Sequence, residues 1–326
     1  MDQLFVLGLL VIPYIVIGTI IVIKARGIRN VKDYSIRPTV TVYLPTFNEE
    51  KHIARKLDNL LSQSYHIDEI LIIDCSTDAT PQIIEIYKKK YPQILLIKQT
   101  QRIGMARTLN EALKRAKCEI FVKTDCDSIS ESNALKELVA NFAEKNIGGA
   151  TGICVADDGV EKYFRKIMTT IQVAESNIDS TLITHSTSLL AFRTAVTGPV
   201  RENSVAEDTE EFLLIRRKGY KTIIDPSVIS REEVPSNSNI RRMQKNRRSQ
   251  GIVNLLLQNF DMLLNPNYHK YGIFVLPIEW FILILSPMLL IALAVISTYT
   301  LYLIHPYLAI AVVAVIVGAI VQKSNV

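Results

Sequence analysis

A chain of 326 residues with 48% hydrophobic and 21% charged content is too apolar for an ordinary soluble enzyme and too charged for a bare bundle of membrane helices, so a split architecture is expected. The net charge of +5 is modest and gives no reason to expect a nucleic-acid partner; what basic excess there is gathers beside the apolar runs, which suits anionic headgroups or an anionic substrate.

Leu4 to Ile23 carries no charge over about 20 residues, the length of one bilayer crossing. Pro13 lies inside this run, as membrane helices tolerate. A cleavable signal peptide is the competing reading; the lack of basic residues before Leu4 and the length of the run speak against it. Lys24, Arg26, Arg29 and Lys32 follow directly, so the positive-inside rule puts the residues from 24 onward in the cytoplasm. A second apolar stretch, Tyr271 to Val321, has Glu279 as its only formal charge and is long enough for two crossings that turn near Ser297 to Pro306. A multi-pass protein of the cell membrane is expected, with a helix at 1–23, a cytoplasmic domain at 24–235, a basic amphipathic segment at 236–270 and two helices in 271–326. Cys75, Cys118, Cys126 and Cys154 all fall in the cytoplasmic part without zinc-like spacing and read as reduced, structural thiols.

From Thr39 short β-branched runs alternate with amphipathic helical stretches. Strands are expected at Thr39 to Phe47, Glu69 to Cys75, Ile94 to Lys98 and Cys118 to Lys123, with Asn48 capping the first helix and Asp78 the second. This rhythm predicts an α/β fold with a mostly parallel sheet whose loops work at one edge. Further on, Gly149 to Val155, Ser188 to Arg193 and Tyr220 to Asp225 read as strands, with helices from about Glu161, at Glu207 to Arg217 and at Asn239 to Leu264. The last has a basic start, Arg241 to Arg248, and an apolar end, Leu255 to Leu263; it can lie in a membrane interface or be a core helix with a solvated start.

Three strand ends carry polar groups. Thr124-Asp125-Cys126-Asp127 offers a carboxylate pair suited to Mg²⁺ or Mn²⁺ held jointly with a diphosphate, although acids also form turns. Asp74 ends the second strand, where it can accept hydrogen bonds from a base or ribose. Pro45-Thr46-Phe47-Asn48-Glu49 ends the first. Together they suggest a nucleotide pocket.

These motifs resemble those of the family 2 glycosyltransferases, membrane-associated enzymes of the Rossmann-like GT-A fold that use nucleotide-sugar donors. P-T-F-N-E resembles the first-strand motif, and I-D-C-S-T-D-A-T resembles D-D-G-S-T-D-G-T, with Ile73 in place of one Asp. Arg102-Ile103-Gly104-Met105-Ala106-Arg107 resembles the donor-facing R-x-G-K-A stretch, and T-D-C-D matches the metal motif. Ser188 to Arg193 resembles the acceptor-side strand that ends in F-R; Ala206-Glu207-Asp208 resembles the E-D motif; Gln244-Lys245-Asn246-Arg247-Arg248 resembles the Q-x-x-R-W signature of the cellulose, chitin and hyaluronan synthases, with Arg248 where tryptophan is usual.

The resemblance implies Asp208 as general base and Asp125 with Asp127 as metal ligands. It implies donor contacts from Pro45, Thr46, Asn48, Glu49, Asp74, Arg102, Gly104, Asp125, Gln244, Arg247 and Arg248, and acceptor-side roles for Phe192, Arg193 and Glu207. The implied activity is inverting transfer of a hexosyl group, a UDP-sugar being the favoured donor, to a saccharide or lipid-linked acceptor at the bilayer surface. Transfer of one sugar to a polyprenyl phosphate and a non-catalytic nucleotide-sugar-binding membrane protein remain the alternatives.

Overall fold

The computed structural model describes residues 3–26, 31–155, 159–183, 189–232, 238–308 and 310. Two compact units are distinguished, Ile21–Val275 and a smaller one made of Met1–Ile20 with Leu276–Val326. In chain order the elements are α1 (Gln3–Lys24), β1 (Val40–Thr46), α2 (Ile53–Leu61), β2 (Glu69–Asp74), α3 (Thr80–Lys90), β3 (Ile94–Lys98), α4 (Met105–Arg115), β4 (Ile120–Thr124), β5 (Ser128–Ser130), α5 (Ala134–Ala140), β6 (Ile147–Val155), α6 (Gly159–Ile178), β7 (Leu189–Arg193), α7 (Glu207–Arg217), β8 (Lys221–Glu232), α8 (Ser238–Gln258), α9 (Leu276–Trp280) and α10 (Ser286–Ile304).

The larger unit is built on one eight-stranded sheet in the order β3-β2-β1-β4-β7-β6-β8-β5. The first four strands run parallel, as their helix-spaced pattern predicts. The chain proceeds from β1 outward through β2 to β3, then returns to the other flank of β1 as β4. That reversal opens a crevice beyond the carboxyl ends of β1 and β4, which is where open α/β sheets hold ligands. T-D-C-D lies at this point.

The sheet is mixed but mostly parallel, as expected: four of its seven pairings are parallel, β6 with β8 among them, while β7 runs antiparallel to both β4 and β6 and β5 antiparallel to β8. A single helix between strands returns the chain to the opposite edge and gives a parallel pair. After β6 comes α6 instead, and then residues 179–183, where the Thr181 amide donates to the Thr222 carbonyl at 2.8 Å. β7 starts at the edge where β6 ended.

Alternation along the strands makes two cores. Val40, Val42, Ile70, Ile120 and Val122 face α2, α3 and α5. On the other face Tyr43, Phe121, Phe192 and Phe212 form a row under α4 and α7, with ring centroids 5.6, 6.4 and 5.9 Å apart in succession. Such pairs add roughly 0.5–1.5 kcal/mol each beyond their buried area.

In the smaller unit Tyr14 of α1 donates its hydroxyl to the Ser286 carbonyl at 3.0 Å and sets its ring edge-on to Phe281. Among the described residues one helical run, Tyr271–Ile304, is long and apolar enough to cross a membrane, whereas Gly8–Lys24 is a shorter apolar helix. The second expected C-terminal crossing, with Lys323, lies outside the described residues, as does Arg29. Two π turns widen the long run, Tyr271–Val275 and Phe281–Leu285. Pro277 and Pro287 explain them: each lacks a donor and presses its ring on the carbonyl four residues earlier, at Ile273 and Leu283.

Candidate active site

The loops after β1 and β2 are latched to one another. Thr46 Oγ1 and Ser76 Oγ donate to Asp74 Oδ1 at 2.7 and 2.5 Å, the Asn48 amide donates to Ser76 Oγ at 2.8 Å, and the Thr77 amide donates to Asn48 Oδ1 at 2.9 Å. Asn48 adopts φ 57°, a left-handed conformation that asparagine accepts more readily than most residues. Asn48 therefore latches the β2 loop and does not cap α2, which begins only at Ile53. Asp78 does cap α3, accepting from the Thr80 amide at 3.0 Å and its hydroxyl at 2.6 Å. Pro45, Thr46, Asn48, Glu49 and Asp74 are thus held on one rim. Arg102 joins it by lying 4.1 Å over the Phe47 ring, and Gly104, at φ 95°, turns the chain into α4.

At the end of β4, Lys123 points to the α7 face beside Tyr43, its register partner. Its ammonium is 6% exposed and meets Glu207 Oε1 at 3.1 Å and Asp208 Oδ1 at 2.5 Å. Burial works against this charge, but Asp208, Glu207 and Asp125 outweigh burial and hold the ammonium well above its usual value. Burial pushes Asp208 up to about 6, Lys123 opposing and Glu207 adding to the rise, while at Glu207 the pull of Lys123 overcomes burial and leaves it below the usual range. The result is an acidic pair on the first turn of α7 sharing one buried lysine.

Asp125 and Asp127 follow. Burial pushes Asp127 up to about 6, and the charges of Asp125, Glu232 and Glu49 push the same way. Asp125 is raised by burial despite Lys123 and Lys56. Lys56 comes from the opposite face of β4: wholly buried, it donates to Thr124 Oγ1 at 2.7 Å and the Ser128 carbonyl at 2.8 Å, and burial lowers it to about 8. Hard oxygen donors that crowd negative charge in a buried edge fit a divalent cation, which would relieve that repulsion. Asp125 and Asp127 would hold it, and Glu232 and Glu49 add to the field there.

The Gln244, Arg247 and Arg248 side chains lie on the exposed first half of α8. One turn on, Gly251 lets the helix come close to the segment before α7: a Cβ there would stand 2.8 Å from Val205 Cγ2 and 3.0 Å from Ala206 Cβ. Arg247, on the same face as Gly251, consequently adds its charge to the field at Glu207. The second half of α8 buries Ile252, Leu255 and Leu256 in the larger unit, so much of the apolar end expected at a membrane surface is core; Leu257 and Phe260 remain exposed.

Phe192 and Arg193 are placed apart from that edge. Because β7 runs antiparallel to β4, Arg193 pairs with Ile120 and Leu189 with Thr124, which puts F-R about 13 Å from the T-D-C-D edge at roughly 3.3 Å per residue. Phe192 is fully buried in the aromatic row, and Arg193 donates to the carbonyls of Ile147, Phe142 and Glu144. Ser188, which begins that motif, lies outside the described residues.

Sequence reasoning missed Lys123, Lys56 and Glu232. A polar residue in the otherwise apolar run I-F-V-K-T, two before the acid pair, was the available signal for Lys123; nothing local marks Lys56 or Glu232.

A family model described as glycosyl transferase family 2 matches residues 41–223. The mannosyltransferase PcManGT from Pyrobaculum calidifontis, solved with GDP-Man and Mn²⁺, superposes with a TM-score of 0.76 and 26% identity over 97% of this chain and 92% of that one. The dolichyl N-acetyl-alpha-D-glucosaminyl phosphate 3-beta-D-2,3-diacetamido-2,3-dideoxy-beta-D-glucuronosyltransferase of Methanococcus voltae is 25% identical over 210 residues, 59% of this chain and 65% of that protein. The poly(ribitol-phosphate) beta-N-acetylglucosaminyltransferase TarS of Staphylococcus aureus is 33% identical over 107 residues, 32% of this chain and 19% of that protein. The chain thus spans less than two thirds of the length of both of these relatives.

Proposed function

The chain belongs to glycosyl transferase family 2, and from that premise we propose that it transfers a hexosyl group, with inversion, from a nucleotide-diphosphate sugar to a lipid-linked acceptor at a membrane surface. The observation that carries this reading is the meeting of a basic lysine and two acids, Lys123 with Glu207 and Asp208, at the same sheet edge as Asp125 and Asp127.

Asp208 is the general base. Its carboxylate, turned toward the edge by Lys123 and still 27% exposed, takes the proton from the acceptor hydroxyl as the hydroxyl oxygen attacks the anomeric carbon. General-base help of this kind contributes about 10²- to 10⁴-fold. Arg247 holds the departing diphosphate, whose planar-fork recognition suits guanidinium, and Gln244 and Arg248 line the same approach. A divalent Mg²⁺ or Mn²⁺ held by Asp125 and Asp127, as the Mn²⁺ of the mannosyltransferase complex suggests by likeness, supplies positive charge to the diphosphate.

Asp74 and the Arg102–Phe47 pair form the base end. A carboxylate favours bases with a ring N–H, which uracil and guanine have and adenine and cytosine lack. UDP-sugars, favoured on sequence, and GDP-sugars, favoured by likeness to the mannosyltransferase complex, are both admitted by this argument.

The acceptor is assigned to lipid because Tyr271–Ile304 supplies an anchor and the archaeal relative is named for a dolichyl-linked substrate. The cytoplasmic face and further crossings by α1 and the residues after 310 belong to the same proposal. Incubating the protein with UDP-, GDP-, ADP- and CMP-sugars and Mn²⁺ or Mg²⁺ tests it. Metal-dependent release of UDP or GDP, with label appearing in lipid extract, is expected; release only from ADP- or CMP-sugars, or label only in water-soluble product, refutes it.

A further inference from the structure

A cavity of about 590 Å³ opens on α6, and of the acids described above Glu232 borders it through Arg165. Its walls are apolar, from Ala25, Ile153, Val155 and Val173, and its rim carries Lys162 and Lys166. The two lysines, four residues apart, stand on one face of α6. No carboxylate among the described residues pairs with either. Arg165, between them in sequence, is buried and already engaged: it donates to Cys154 Sγ at 2.8 Å and to Glu232 at 3.0 Å, closing the floor.

The surroundings point to hydrocarbon rather than water. Tyr163, Phe164 and Ile167 on the same helix are 71, 44 and 60% exposed, a contiguous stretch of apolar surface that a bilayer would cover. Ala25 follows immediately on the apolar helix α1, and Asn177 of α6 donates to the Lys24 carbonyl at 2.7 Å, so the cavity lies where the chain leaves that helix. An apolar pocket with a cationic rim at that level matches an acyl chain below an anionic headgroup.

We infer that this cavity binds an anionic phospholipid of the bilayer, its chain between Ile153, Val155 and Val173 and its phosphate on Lys162 and Lys166. The site is separate from the acceptor site and seats the catalytic unit on charged membrane. The inference rests on the membrane-surface reading above. Each cation near an anionic surface contributes about 5-fold, so the pair gives about 25-fold preference for an anionic over a zwitterionic lipid.

The test uses the full chain in non-ionic detergent micelles, titrated with fluorescent phosphatidylglycerol or phosphatidylcholine. Phosphatidylglycerol is expected to bind about 25-fold more tightly; Lys162→Gln with Lys166→Gln should abolish the preference, and Val173→Trp should weaken both lipids. Metal-dependent donor hydrolysis by the double variant should equal wild type, which shows that the variant is folded. Equal affinity for the two lipids, or a preference that survives both variants, overturns the inference. So does inorganic phosphate competing at the same concentration as phosphatidylglycerol, or a polyprenyl phosphate that displaces it and is glycosylated only when the lysines are present. If lipid binding behaves as expected while no donor is hydrolysed, the enzyme reading fails and this one stands.

Discussion

Replacing Lys123 with methionine removes the one ammonium that Glu207 and Asp208 share and keeps the side chain's bulk. With the lysine at 3.1 and 2.5 Å and 6% exposed, two acids are left facing each other in a buried edge. Breaking a buried pair by removing one partner costs about 3–5 kcal/mol. Part of that cost appears as titration: an opposite charge at this range lowers a carboxyl by about 1–3 pK units, so its loss should carry Asp208 from about 6 to roughly 7–9. A base must be deprotonated to act, so at pH 7 the active fraction falls by about 2-fold at the low end of that range and about 100-fold at the high end, and recovers as pH rises. Nucleotide release from the preferred donor, followed as kcat against pH, reads this directly. The acidic limb should move from near pH 6 upward by one or more units, with donor KM little changed. An unmoved limb with undiminished kcat would refute the assignment of Lys123 as the residue that keeps Asp208 ionised.

Glu211, fully buried and pushed by burial to about 8, should make the fold sensitive to alkali. Its folded value lies above the ordinary 4.5, so its stabilising share is complete below pH 4.5 and is lost as pH rises to about 8, at roughly 1.4 kcal/mol per unit. Glu211→Gln should therefore gain in Tm over wild type increasingly from pH 5 to 8; parallel Tm curves would contradict this. Phe192→Ala should cost about 3–5 kcal/mol by denaturant unfolding and leave acceptor KM unchanged at low temperature, whereas a raised acceptor KM without lost stability would return it to the acceptor side. Gly251→Val should displace α8 from Val205 and Ala206 at a cost of about 1–3 kcal/mol and lower kcat about tenfold through Arg247, with Gly251→Ala milder; a wild-type kcat in the valine variant would argue against the close approach.

The existence of seven of the eight strands was legible from pattern; the three-residue β5 and the strand directions were not. I-F-V-K-T and L-L-A-F-R are both buried runs, and nothing in either says that one opposes the other. Direction came from the connection through α6, and the antiparallel run of β7 puts Phe192 and Arg193 at the end of the strand far from T-D-C-D. Motifs confined to one loop, such as T-D-C-D, could be read because the acids sit together in sequence. Lys56 could not, because α2 brings it to Thr124 and Ser128 across 68 and 72 residues. Lys123 stood in plain view as a charge inside a strand, yet its partners arrive from α7, 84 and 85 residues on. The basic helix was legible in half: its start is exposed, and much of its apolar end is core because Gly251 draws it onto the larger unit.

On the proposed reading Asp127 and Asp208 divide the labour at this edge, one serving the donor's metal and the other the acceptor's proton. Donor affinity and transfer should be measured together, by calorimetry with the released nucleotide in Mn²⁺ and by label transfer to lipid acceptor, for wild type, Asp127→Ala and Asp208→Asn. Asp208→Asn should bind nucleotide as wild type does and lose transfer by about 10²-fold or more, while Asp127→Ala should lose the metal-dependent part of nucleotide binding. Full transfer by Asp208→Asn, or unchanged metal-dependent binding by Asp127→Ala, would contradict it.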